Sequence, residues 1–202
     1  ATNAEYIGGY ASTYACSANY STITLFGTDI DKFSSDVDGI FGSLALFSTS
    51  DDMTSATDPD FTNLQAAINT ILYAGGQSAS SSANRETVFS IRENTNLNVQ
   101  ALYMILVNLG RWFHFYGNPD DAGTKGAGPG TNTCLFTYSD PYAIAGISAG
   151  ETGSCTNAAN QGSSDMMTGD PAQEKERLCH GIVMLTNFID LIANIEFSGD
   201  DV

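Results

Sequence analysis

ALYMILVNLGRWFHFYG, Ala101 to Gly117, is the stretch on which the fold turns. Leu102, Ile105, Leu106, Leu109, Trp112, Phe113 and Tyr116 stand at offsets 0, 3, 4, 7, 10, 11 and 14, one face of an α-helix. At about 100° per residue, Tyr103, Met104, Val107, Arg111, His114 and Phe115 turn away from that stripe, and most of them are apolar too. A helix apolar on nearly every side sits at the centre of a protein or is covered by something else. In a plain four-helix bundle this second side would face water. It is therefore expected to pack on a fifth helix, on a long loop or on another subunit, and those six residues are the interface candidates. Gly117 reads as a C-cap, and Asn118-Pro119 blocks continuation. The helix is expected at about 95–116, with an extension back through RETVFSIREN to about 84.

The other helices are placed around this one. Asp170-Pro171 reads as N-cap then N1, and Glu174 and Glu176 suit the positive end of the helix dipole. Behind them Leu178, Ile182, Leu185, Ile189 and Ile192 form the expected core stripe, with Asn187, Asp190 and Asn194 on the polar side, over about 171–196. Thr28-Asp29-Ile30-Asp31 resembles a capping box with Asp in place of Glu, and opens a helix at about 29–46 carrying Ile30, Phe33, Val37, Ile40, Phe41 and Leu44. Asp58-Pro59 opens another at about 59–74, which Gly75-Gly76 ends. A first helix at about 4–19 carries Tyr6, Tyr10 and Tyr14 as a stripe that usually belongs to a core, with Gly8, Ser12 and Ala15 on a small-residue side. TITLF, 22–26, reads as a short extended piece.

The expected fold is all-α: one domain over 1–202, an antiparallel bundle of four to five helices with a long Gly/Ser/Thr-rich loop, about 117–169, before the last helix. An α+β arrangement in which that loop forms a small sheet is the alternative. The loop includes PYAIAGI, a short helix candidate after Asp140. Loops this long either carry function or stay unstructured.

Composition narrows the function. At 202 residues and 42% hydrophobic content, the chain can bury a core unaided. Seven basic residues against 23 acidic ones give a net charge of −16, which disfavours nucleic acid and anionic membrane surfaces. No apolar run approaches the length of a membrane span. The start ATNAEY matches the mature end that a signal peptidase leaves. Cys16, Cys134, Cys155 and Cys179 are even in number, widely spaced and without a CxxC pair, so two disulfides are expected rather than zinc. Of the three connectivities, Cys134–Cys155 as a loop staple and Cys16–Cys179 as a tie between the first and last elements are preferred. The implied compartment is extracellular or periplasmic, and Asn19-Tyr20-Ser21 is a glycosylation sequon there.

No catalytic motif is present. GxSxG, HExxH, a Walker loop and GxGxxG are all missing. The glycines at 117, 123, 126, 128 and 130 lack the GK[ST] ending of a phosphate cradle. His114 and His180, the only histidines, sit in no motif, and there is no CxxCH for covalent haem. No cofactor is expected. The calcium candidates are the acids Asp51, Asp52, Asp58 and Asp60, or Asp120 and Asp121, because calcium takes six to eight oxygens. DVDG at 36–39 fails as an EF-hand, since Ser34 and Ala45 would fall where its first and last ligands belong. The preferred function is an exported structural or surface-assembly subunit of a filament, sheath or envelope. It would do no catalysis and would associate with itself or with another envelope protein. A secreted bundle binding a ligand or calcium comes second, and a hydrolase-like enzyme third.

Overall fold

Asn3 starts the first helix by accepting, on its side-chain oxygen, the N–H of Glu5 at 2.9 Å and of Tyr6 at 3.4 Å. The computed structural model describes residues 3–33, 39–73, 94–117 and 171–194, and these are mostly helical with no strand among them. Helix α1 (Ala4–Ser17) buries Ile7, Ala11 and Ala15, and just past its end Asn19 has a φ of 53°, a left-handed conformation that Asn tolerates. The small residues let α1 lie close to its neighbours: a Cβ on Gly8 would stand 3.0 Å from the Leu97 side chain. Of the tyrosine stripe only Tyr14 packs against the core, and it is half-buried. Tyr6 is 62% and Tyr10 44% exposed, and the rings pack along the surface of α1.

The next segment corrects two expectations. Residues 22–26 are not extended. Ser21 caps a helical turn at Thr22–Thr24, which runs on into a π-type turn at Leu25–Asp29 and a 3-10 turn at Ile30–Lys32. Nor is there one helix over 29–46. Phe33 leaves the helical region, with φ −73° and ψ 68°, and a separate helix α2 occupies Gly39–Ala45. Asp29 does not cap. It is 1% exposed, and one carboxylate oxygen accepts the Ser48 N–H at 2.7 Å and hydroxyl at 2.6 Å. The tertiary partner outcompetes the local cap.

Beyond a 3-10 turn at Ser50–Asp52, helix α3 (Pro59–Leu72) starts as its sequence predicts. Asp58 accepts the N–H of Asp60 at 3.0 Å, and Pro59 occupies N1. Helix α4 (Thr95–Gly117) is the expected central helix, capped at its start by Asn94, which accepts the Leu97 N–H at 3.1 Å. Helix α5 (Pro171–Asn194) is the last. The extension toward 84, the loop at 117–169 with its short helix, and Gly75-Gly76 lie outside the described residues.

Helix α4 organises the packing. Helices α2, α3 and α5 and the Ser50–Asp52 turn all rest on it, while α1 lies mainly on α3. Leu97, Ala101, Met104, Ile105, Val107, Leu109, Trp112, Phe113 and Tyr116 of α4 are buried together with Phe61, Leu64, Ile68 and Ile71 of α3. The two-sided apolar character of α4 thus has its cause in the chain itself. Its second side is covered by α2 and the turn at 50–52.

Candidate functional site

Arg111 is the only formally charged residue of α4, and it is 0% exposed. A buried guanidinium is tolerable only when its donors are matched. Here Nε donates to the Thr49 carbonyl at 3.2 Å, Nη1 to the Asp60 carbonyl at 2.7 Å, and Nη2 to the Ala18 carbonyl at 2.7 Å. Nη2 also meets the Asp52 carboxylate at 3.4 Å. One side chain therefore ties the end of α1, the 50–52 turn and the start of α3 to the central helix. Burial lowers the Arg111 pKa from its ordinary value, and Asp52 and Asp60 oppose that shift.

Of the calcium candidates, Asp52, Asp58 and Asp60 are engaged around this hub, whereas Asp51 is exposed. Asp52 titrates above its ordinary range because it is desolvated, despite Arg111 beside it. Burial alone would raise Asp58, but bonds from the Thr54 hydroxyl and from the Asp60 and Thr54 N–H groups leave it below the usual carboxylate range. Asp60 receives the Asn19 side-chain amide at 3.1 Å. Among the described residues, no group of three or more His, Cys, Asp or Glu is placed to hold a metal ion. Asp120 and Asp121 lie outside them.

The interface candidates divide. Met104, Val107 and Arg111 are buried within the chain, so they are interior residues and not a docking surface. Tyr103 is half-buried against the ring of Phe26, 4.8 Å between centroids. Half-buried His114 places Nδ1 2.9 Å from the Ala45 carbonyl. A carbonyl only accepts, so the Nδ1 proton sits in that bond and the histidine anchors α2. Phe115 is half-buried against Tyr116. Gly110 explains how α2 comes so close, since a Cβ there would lie 2.4 Å from the Leu44 carbonyl oxygen and 2.8 Å from Ser50 Oγ.

The far side of α4 is built differently. Helix α5 buries Gly181, Met184, Asn187 and Leu191. The expected core stripe is turned outward: Ile182 is 46%, Ile189 57% and Ile192 44% exposed, with Leu178 and Leu185 half-buried. Trp112 sets this rotation. Its ring lies close against Gly181, where a Cβ would come within 2.6 Å of the indole, and its N–H donates to the Arg177 carbonyl at 3.3 Å. Asn187, expected on the wet side, is 2% exposed and donates to the Tyr73 hydroxyl at 3.4 Å. Asn108 of α4 donates to Gln65 at 3.3 Å and contacts the Met184 sulfur at 3.7 Å. Among the described residues, the side-chain oxygens of Asn108 and Asn187 are buried without a hydrogen-bond partner. Burial pulls the His180 pKa below its ordinary value, with Glu176 opposing.

The preferred cysteine tie is not formed. Cys16 is exposed on α1, Cys179 is half-buried on α5, and both are free thiols. The reason is topological, since α1 lies mainly on α3 whereas α5 rests on α4. Cys134 and Cys155 lie outside the described residues. Asn19 of the sequon is exposed.

What stands out on the surface is apolar. Tyr6 and Tyr10 on α1, Ile23, Phe26, Ile30 and Phe33 along 22–33, and the three isoleucines of α5 are all exposed. No helix among the described residues is long and apolar enough to cross a membrane. No family model, no curated protein and no solved structure matches the chain.

Two features escaped the sequence reading. The role of Arg111 had a signal, because a lone charge in an otherwise uncharged 23-residue helix must find acceptors inside. The outward stripe had only an ambiguous one, since Gly181, Met184, Asn187 and Leu191 also recur at helical spacing.

Proposed function

We propose that the chain is a structural subunit of an assembly outside the cytoplasm, binding copies of itself or another protein there and performing no catalysis. The observation that carries this reading is the exposure of large apolar side chains on three separate elements: α1, the 22–33 run and α5. Isolated exposed apolar residues are ordinary, whereas grouped ones mark contact surfaces. With more than one such surface, a subunit can continue an assembly instead of closing as a pair. The net charge of −16 keeps free subunits soluble and leaves the apolar strips as the places where two of them can touch.

Light scattering across a concentration series tests the reading. A particle heavier than the 21.3 kDa chain supports it, and a monomer at every concentration sinks it. The location outside the cytoplasm rests on the expected Cys134–Cys155 disulfide alone, since Cys16 and Cys179 are free thiols. Peptide mapping without reductant tests that part, and four free thiols overturn it.

A further inference from the structure

We draw no further inference here: the strongest candidate, the exposed apolar stripe of Ile182, Ile189 and Ile192 on α5, is an unpartnered face, and nothing in the structure shows what covers it.

Discussion

The two sides of α4 are covered by the same chain in opposite ways. Toward α2, the 50–52 turn and the start of α3, every nitrogen of the Arg111 guanidinium has a partner, and His114 and Gly110 fit the neighbouring backbone closely. Toward α5, the contact is one of shape: a glycine under an indole, with two carboxamide oxygens left unpaired. The first side spends polar groups to lock segments from distant parts of the sequence. The second holds a helix whose more apolar face points away. Buried polar groups that are fully matched confer rigidity, and partly matched ones cost stability. The α5 side should therefore be the weaker of the two, and the one with a surface to offer a partner.

Substitution of Arg111 by Ala should have the largest effect. It removes the side chain that ties the Ala18, Thr49 and Asp60 carbonyls to the central helix and leaves a cavity there, so denaturant unfolding should show a loss of about 3–5 kcal/mol. A loss under 1 kcal/mol would mean that the hub is ornamental and that the contrast between the two sides is wrong.

Glycine replacements come next and compare the sides directly. Gly110→Ala drives a Cβ into the Leu44 carbonyl and should cost about 1–3 kcal/mol. Gly181→Ala drives one into the Trp112 ring, at a similar or smaller cost if α5 can shift away. Trp112 is the only tryptophan, so its fluorescence reports on the surroundings of this ring, the Gly181 contact included. In Gly181→Ala the fluorescence transition should precede the loss of helical circular dichroism, whereas in Gly110→Ala the two should coincide. Coincidence in both would remove the proposed difference in attachment.

A smaller effect of opposite sign is expected at Asn187. Replacing it with Leu removes an unpaired buried oxygen at the cost of a long bond to Tyr73, and should be neutral or stabilising by up to about 1 kcal/mol. Clear destabilisation would show that the carboxamide is satisfied in solution.

The smallest effect is one of pH. The folded-state pKa of His180 is depressed, so the folded state resists its protonation. Its contribution is present above the unfolded pKa of about 6.5 and is lost as pH falls below that value toward the folded one. His180→Gln should flatten the fall in melting temperature between about pH 7 and pH 5 by a degree or two. An unchanged slope would place the pH dependence elsewhere.

Local signals located the helices well wherever local chemistry decides. Asp58-Pro59 caps α3, the stripe from Leu102 to Tyr116 defines α4, and Pro171 opens α5. They failed where a distant group competes. Asp29 looked like a cap, and its carboxylate belongs to Ser48 instead. Cys16 and Cys179 looked like a tie and sit on helices with different main neighbours. The candidate surface was half legible. Periodicity exposed the stripe on α5 but could not say which way it points, because a second set at the same spacing includes Gly181 and Met184.

The sequence alone determined that this chain is helical, acidic and built around an apolar central helix, since spacing, caps and charge are properties of neighbours along the chain. Only the tertiary structure decided what covers each side of that helix. It placed Arg111 among three backbone carbonyls from residues 51 to 93 positions away. It also turned the isoleucines of α5 outward, because an indole and a glycine 69 residues apart fit each other more closely than a row of branched side chains would.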